Sequence, residues 1–152
     1  MLKRLKDFLS SQPGDESGAD HDELQLALAA LLVYAAHLDE ELDGDEREII
    51  LGLLEEHFEL DRAGALDLFE KAWAKAAETT QLFGMTRVIC DHYDADQRLE
   101  MLEMLWQVVY SDGRLHDHEA SLMRRVAGLL HVSDRDSGVA RKRALDRLGM
   151  NH

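Results

Sequence analysis

The chain has 152 residues, of which 45% are hydrophobic and 32% are charged, as is typical of one soluble globular domain. Its 31 acidic and 17 basic side chains give a formal net charge of -14, which would repel nucleic acid, so we expect no nucleic-acid partner. Only one proline occurs, and Ala, Leu, Glu and Arg are abundant. Because these residues favour helices, the composition predicts an all-α fold.

The single cysteine, Cys90, excludes an intrachain disulfide framework and is typical of a reducing compartment. It lies in the apolar-leaning segment RVICDHY, which favours a buried, unreactive thiol over a nucleophile. No apolar run reaches the length of a transmembrane span, and the N-terminus lacks the apolar block of a signal peptide. We therefore expect a cytoplasmic protein with no transmembrane segment.

Residues 1–19 are predicted to form a short helix and a linker ahead of the main domain at 20–152. The opening MLKRLKDFLSS places apolar residues on one helical face and Lys3, Arg4 and Lys6 elsewhere, a pattern that could lie on an anionic membrane surface. We favour a short helix docked on the body, or a frayed end, because so few residues bury little area. The stretch QPGDESGAD has the composition of a linker, so removal of residues 1–18 should leave the domain folded.

Hydrophobic spacing predicts six or seven helices around one core. The first runs from an N-cap at Asp20 to about Leu38, with leucines at three- and four-residue intervals on one face. The second begins after Asp43, which has the spacing of a capping box with Glu46, and ends near Phe58. The remaining predicted helices are RAGALDLFEKAWAKAAE, capped by Asp61, a shorter one around 80–92, QRLEMLEMLWQVVY, HEASLMRRVAGLLHV, and SDRDSGVARKRALDRLG, capped by Ser133.

Two groups of side chains in these helices receive a structural interpretation. Leu66, Phe69 and Trp73 form a stripe at helical spacing, which we expect to belong to the core rather than to a cofactor site. The basic run at 141–143 is interpreted as cations that complete a helix C-terminus, where the macrodipole favours positive charge.

The most acidic stretch, HLDEELDGDEREII at 37–50, contains seven carboxylates in fourteen residues and partly matches an EF-hand calcium loop. Such a loop requires an acidic bidentate ligand at position 12. Counted from Asp39, that position is Ile50, and position 9 is Arg47, a cation where a ligand or water belongs. The ligand rules therefore disfavour an EF-hand, and the acidic cluster needs another explanation.

An internal repeat separates the recurring carboxylates from the others. The stretch YSDGRLHDHEASLM at 110–123 matches residues 37–50 when the sequence is shifted by 73 positions. Each half then reads as helix, acidic turn, helix, helix, and the other acids of the first turn are not reproduced. The recurring residues are Asp39 with Asp112, Leu42 with Leu115, and Glu46 with Glu119.

The recurring carboxylates differ in what a helix offers them. Glu46 and Glu119 fall in the first turn of a predicted helix, where the macrodipole favours an anion, whereas Asp39 and Asp112 follow a helix C-terminus, where it disfavours one. A hard cation held by oxygen ligands would compensate the two aspartates. The alternative is that the glutamates only cap helices and the aspartates only stabilise turns. His116 and His118, beside the second turn, keep zinc open and are otherwise surface histidines.

The two acidic segments, AHLDEELDGDEREII and VYSDGRLHDHEASLM, resemble the paired A-x-x-D-G-x-h-x-x-x-E signatures (h, apolar) of the TerB-like family, named after tellurite resistance protein B. The same module forms the N-terminal part of DjlA-type membrane co-chaperones, and the resemblance covers roughly residues 22–147. The second signature matches fully, whereas the first has Glu40 where the family usually has glycine. No J-domain HPD tripeptide occurs in the chain, which excludes a co-chaperone activity in cis.

The resemblance implies an all-helical domain with an internal pseudo-repeat and an acidic cluster that binds divalent metal, here through Asp39, Glu46, Asp112 and Glu119. It also implies association with stress-response and membrane-linked assemblies rather than catalysis. We therefore predict a non-enzymatic, cytoplasmic module, with peripheral association at the inner membrane left open. It would bind calcium, magnesium or manganese ahead of zinc, together with a protein partner that could be membrane-associated. The alternatives are a metal-free interaction scaffold and a carboxylate-metal hydrolase, for which the sequence offers no phosphate loop and no paired nucleophile.

Overall fold

The computed structural model describes residues 14–36, 44–78, 82–111, 115 and 117–150, apart from the side chains at 14–21, 45 and 78. Within these residues the chain forms seven α-helices and no strand, which confirms the predicted all-α class. The helices are α1 (Gly14–Ala36), α2 (Gly44–Phe58), α3 (Arg62–Glu78), α4 (Leu82–His92), α5 (Ala95–Val109), α6 (Asp117–Leu129) and α7 (Asp134–Arg147).

The first helix begins earlier than the sequence indicated. α1 starts at Gly14 rather than after an N-cap at Asp20, so all but the first two residues of the predicted linker are helical. The helix predicted within residues 1–11 lies outside the described residues, and the domain boundary between 19 and 20 stays a prediction.

The predicted N-caps of two later helices are confirmed by hydrogen bonds. The backbone N–H of Gly64 donates to Oδ1 of Asp61 at 2.8 Å, at the start of α3. At the start of α7, the N–H of Asp136 donates to Oγ of Ser133 at 3.1 Å. Each side chain satisfies one of the amides that the first turn of a helix leaves without an intrahelical acceptor. Local sequence therefore fixes where both helices begin.

The centre of the fold is formed by α1 and α5, which contact each other along their apolar surfaces. α1 is buried on nearly every side between Ala27 and Val33, and α5 is equally enclosed between Met101 and Trp106. Helices that are apolar all round need partners on several faces. The most extensive packing accordingly joins α1 to α3 and α5 to α7.

The helices follow the repeat that the sequence predicted. α1 ends at Ala36 and α5 ends 73 residues later, at Val109. In the same way, α2 begins at Gly44 and α6 begins 73 residues later, at Asp117. α3 and α7 begin 72 residues apart because the second half has one residue fewer between the start of α6 and the start of α7. Of the seven described helices, α4 alone has no counterpart; it connects the two halves and packs on α1 and α6.

The junctions before α3 and α7 are equivalent in backbone detail. Glu59 and His131, 72 residues apart, both adopt a left-handed conformation, with φ of 54° and 60°. In each junction the next residue donates its N–H to a carbonyl five residues earlier, at 3.0 Å in the first half and 2.8 Å in the second. This geometry is the Schellman C-cap, which usually contains glycine at the left-handed position. The repeat therefore extends to the hydrogen bonds of its turns.

Two sequence interpretations were wrong. Trp73 is 36% exposed, although Phe69 in the same predicted stripe is buried, because the buried face of α3 continues through Ala72 and Ala76. The basic run at 141–143 does not end a helix, since α7 continues to Arg147. Its first member, Arg141, instead packs within the domain.

The packing of Arg141 joins α7 to two aromatic residues of the α5 end. Its Nε donates to the hydroxyl of Tyr110 at 2.8 Å. Its guanidinium lies 5.9 Å from the ring centre of Trp106 and 5.7 Å from that of Tyr110. A cation over an aromatic face is attracted to the ring quadrupole, so this arginine stabilises the α5–α7 contact rather than a helix dipole.

Candidate functional site

Two of the four predicted metal ligands, Glu46 and Glu119, lie at equivalent places in the two halves. Each is the third residue of its helix, α2 or α6. Both are buried, with exposed fractions of 9% and 3%, and each takes part in an interaction within the protein. The other two predicted ligands, Asp39 and Asp112, lie outside the described residues.

The burial of these glutamates requires a physical cause. A carboxylate loses its hydration when it is buried, and this cost is large unless hydrogen bonds or cations replace the water. The first turn of a helix supplies free amides and the positive end of the macrodipole, which compensates part of the cost. Half-buried Leu115, one of the two recurring leucines, packs against the core just before α6.

The metal hypothesis depends on residues beyond these two. Among the described residues, no group of three or more His, Cys, Asp or Glu side chains is arranged to hold a metal ion. The predicted four-carboxylate site includes Asp39 and Asp112, so it stays a prediction. Its donor set of carboxylate oxygens fits a hard divalent cation. Of the two histidines that kept zinc open, His118 is exposed on α6, and His116 lies outside the described residues.

A second polar region lies in a cleft of about 440 Å³ between α2, α5 and the end of α7. Its polar lining includes Glu56, His57, Glu100, Glu103 and Arg147 above apolar side chains of the core. The sequence interpretation gave no role to any of these residues. They come together only because three helices that are distant in the chain meet here.

Glu103 is a further buried carboxylate among the described residues, and it pairs with Arg147. Its exposed fraction is 7%, and its Oε2 accepts a hydrogen bond from Nε of Arg147. A charge-assisted hydrogen bond to a guanidinium compensates a desolvated carboxylate, so this pair fixes the end of α7 against α5. One sequence signal could have marked Glu103 as buried, although not its partner: it follows Leu99 by four residues and precedes Trp106 by three, which places it on the apolar face of α5.

His57 and Tyr93 form a neutral pair at the edge of the cleft. Nε2 of His57 lies 2.8 Å from the hydroxyl oxygen of Tyr93. Burial lowers the pKa of His57, although the charges of Glu100 and Glu56 oppose the shift. Burial, with a contribution from Glu100, raises the pKa of Tyr93 to about 12. At neutral pH the imidazole is therefore uncharged and the phenol keeps its proton, as expected of a structural hydrogen bond.

The thiol of Cys90 is half-buried between α4 and α6. Its Sγ lies 3.5 Å from the carbonyl oxygen of Leu129, close enough to donate a weak hydrogen bond. Burial raises the pKa of this thiol, whereas nucleophilic cysteines have a lowered pKa that favours the thiolate. The structure therefore agrees with the interpretation of Cys90 as an unreactive thiol.

The family model of tellurite resistance protein TerB matches residues 25–142, from the middle of α1 into α7. The chain belongs to the TerB family. The match includes both halves of the repeat and both acidic turns, and it confirms the resemblance seen in the sequence. TerB domains are in general non-catalytic. Comparisons with curated proteins and with solved structures gave no match.

The length and apolarity of the helices bear on the expected absence of a transmembrane segment. In the part of the chain that the structure describes, no helix combines the length and the apolar character that a membrane span requires.

Proposed function

We propose that this TerB domain is a non-enzymatic module that binds a divalent cation through Asp39, Glu46, Asp112 and Glu119 and serves as an interaction scaffold in a stress response. The observation that supports the cation site best is the burial of Glu46 and Glu119 at equivalent positions of the repeat. A glutamate that only caps a helix can do so while exposed to solvent, so capping alone does not explain the burial. Carboxylates that face a cation are withdrawn from water together with it.

The proposed site brings the two acidic turns together, so that four carboxylates share one cation or hold two paired ones. Without a counter-ion, such a cluster would raise the pKa values of its members and destabilise the domain near neutral pH. A divalent cation reverses this repulsion. Since all four ligands offer oxygen, calcium, magnesium or manganese fits better than zinc.

The scaffold part of the proposal places the domain in the cytoplasm with a protein partner, including one at the inner membrane. It is supported by the family assignment and by the chemistry of the titratable groups that could otherwise suggest catalysis. His57 is uncharged at neutral pH and bonded to Tyr93, and the pKa of Cys90 is raised. Neither residue has the activated state that a general base or a nucleophile requires.

Thermal denaturation in the presence of calcium, magnesium, manganese or zinc tests the cation site. A cation that binds the folded state alone raises the free energy of unfolding by mass action, by about 2.7 kcal/mol at one hundred times its dissociation constant, and so raises the melting temperature. The substitution Asp112→Asn should remove most of this increase. Glu41→Gln removes a carboxylate of the same turn that the repeat does not reproduce, and it should leave the increase intact.

The result that would contradict the cation site is equally specific. If none of the four ions shifts the melting temperature, or if Glu41→Gln abolishes the shift as completely as Asp112→Asn, the site is wrong. Glu46 and Glu119 are then helix-cap residues of a metal-free scaffold, which is the second candidate function and is supported by their place in the first turns of α2 and α6.

A further inference from the structure

A groove between α4 and α6 has an exposed aromatic ring beside two arginines. It has a volume of about 490 Å³, and we call it the Phe83 groove after its most exposed apolar residue. Phe83 is 60% exposed, the largest fraction among the large hydrophobic side chains that the structure describes. An aromatic ring in water contributes none of the stabilisation that burial provides. The lining residues are Leu82, Phe83, Arg124, Arg125, Gly128 and Leu129.

The repeat shows that the fold does not require this arrangement. The positions equivalent to Arg124 and Arg125 in the first half are Leu51, which is fully buried, and Gly52. α4, which carries Phe83, has no counterpart in the repeat. The groove is therefore a local feature of the second half.

The charge of the Phe83 groove is opposite to that of the chain. None of the described side chains that line it is acidic, although the chain carries a formal net charge of -14. Both Arg124 and Arg125 are exposed. Within the described part of the chain, neither guanidinium forms an ion pair with a carboxylate. Two adjacent cations beside an apolar surface would complement a ligand that is both apolar and anionic.

We propose that the Phe83 groove docks an amphipathic segment of a partner protein in which Asp or Glu residues flank an apolar anchor. This inference rests on the scaffold part of the proposed function and specifies its partner. The anchor packs against Phe83 and half-buried Leu129, and the carboxylates pair with the arginines. Arginine with carboxylate, and an aromatic ring with an aliphatic or aromatic anchor, are the combinations that dominate the energetics of protein interfaces.

The net charge of the chain favours a protein segment over an anionic bilayer. A bilayer extends far beyond the screening length of about 8 Å at physiological salt, so it would meet the many carboxylates outside the groove. A short segment confined to the groove meets mainly the two arginines. The same argument excludes nucleic acid.

Selection of binders to the full chain from a library of displayed random peptides tests the docking site, because such a selection needs no identified partner. The recovered peptides should combine apolar anchors with Asp or Glu. They should bind the full chain saturably in fluorescence anisotropy, and their affinity should fall as salt is raised, because the ion pairs are exposed.

Two variants of the groove, with matched controls on α7, show where the peptides bind. Phe83→Ser and the double change Arg124→Glu with Arg125→Glu should each weaken peptide binding by about tenfold or more. Val139→Ser and Arg135→Glu remove an exposed apolar side chain and an exposed arginine on α7, and they should change nothing.

Gly128→Leu fills the groove while every binding side chain is kept. A Cβ at Gly128 meets no other atom within 4 Å, and leucine favours a helix more than glycine does, so this variant should fold at least as well as the parent. It should nevertheless lose peptide binding.

Several results would overturn the inference. They are recovery of no peptide, recovery of basic peptides, or peptides whose affinity is unchanged by Phe83→Ser and Gly128→Leu. Binding of the chain to vesicles of equal parts phosphatidylglycerol and phosphatidylcholine, lost in Phe83→Ser, would assign the groove to a membrane instead. Dimerisation of the parent chain that Phe83→Ser abolishes in sedimentation would assign it to a second copy.

The same variants separate this inference from the cation site. The shift in melting temperature with divalent ions is measured for Phe83→Ser and for Asp112→Asn. Loss of peptide binding in Phe83→Ser with its metal shift intact supports two independent surfaces. Absence of a metal shift in a parent chain that binds acidic peptides contradicts the cation site alone.

Discussion

The two halves of the domain share a backbone plan and differ in how their helices are joined by side chains. The helix bounds, the left-handed residues before α3 and α7, and the buried glutamates at 46 and 119 all recur. Among the contacts that the structure describes, the ion pair between α5 and the end of α7 does not recur. Buried Glu103, paired with Arg147, has buried Ala30 at its equivalent position in α1.

The same contrast holds for the contacts of α3 and α7. Arg141 of α7 packs on Trp106 and Tyr110, whereas its equivalent in α3 is Phe69, whose ring lies 5.2 Å from the guanidinium of Arg47. Each half therefore has a cation on an aromatic ring, with different partners and on different helices. What recurs is the helix plan with its turns, caps and buried core, and what differs is the set of side chains on the helix surfaces. The Phe83 groove, where α4 meets α6, is one of these differences.

The largest effect is expected in the core, where the halves are most alike. Leu32 and Leu105 are equivalent and fully buried. Truncation of either to alanine should destabilise the domain by about 2–5 kcal/mol, through lost burial and the cavity left behind. Urea denaturation should show one transition in both variants, because α1 and α5 contact each other at the centre.

Two separate transitions in either variant would mean that the halves fold as independent units. A loss in one half several times larger than in the other would mean that the core is centred on that half alone.

A smaller effect is expected at His57 and Tyr93, which join α2 of the first half to the start of the second. His57→Gln should cost about 1 kcal/mol, the usual contribution of one hydrogen bond. It should also reduce the pH dependence of stability. Because burial lowers the pKa of His57 in the folded state, the unfolded state binds the proton first as pH falls below 6.5, so the parent loses stability there.

The control for this pH effect is His92→Gln, which changes an exposed histidine at the end of α4. The urea midpoint at pH 7.5 minus that at pH 5.5 should shrink in His57→Gln and stay the same in His92→Gln. An unchanged difference in His57→Gln would show that the imidazole does not stay neutral in the folded state.

The smallest effect is expected at the two left-handed residues. Glu59→Gly and His131→Gly should stabilise the folded state, because glycine adopts the left-handed conformation without strain. The larger backbone entropy of glycine in the unfolded chain opposes part of this gain. A net gain of about 0.5 kcal/mol is expected in each. Equal increases in melting temperature would show that the two junctions are equivalent in energy as well as in geometry. An increase in one variant only would show that they are equivalent in geometry alone.

The helices and caps were predictable because their signals are local. Short-range patterns predict the cap residues Asp61 and Ser133 and the start of α2. The 73-residue repeat is found by comparing two short segments, each of which has a local pattern of its own. The early start of α1 was not predictable in this way, because Pro, Gly and Ser outweighed the acidic residues that favour a helix N-terminus. The core position predicted for Trp73 was wrong because a stripe at helical spacing does not show which neighbours cover its end.

The polar contacts of the site could be predicted only in part. The repeat singled out Glu46 and Glu119, which are buried, and their role as metal ligands stays a prediction. The pairs of Glu103 with Arg147 and of His57 with Tyr93 join residues 44 and 36 positions apart, and no periodicity encodes such a contact. The Phe83 groove depends in the same way on the packing of α4 against α6.

Isothermal titration calorimetry of the full chain tests the paired acidic turns most directly. Calcium, magnesium or manganese should give a saturable heat with one or two ions per chain. The heat should be lost when Glu46→Gln and Glu119→Gln are combined, because these changes keep side-chain size and remove two ligand charges. Glu41→Gln should leave the heat unchanged. Absence of a saturable heat with all of these ions and with zinc, or a heat that survives the double change, would contradict the site.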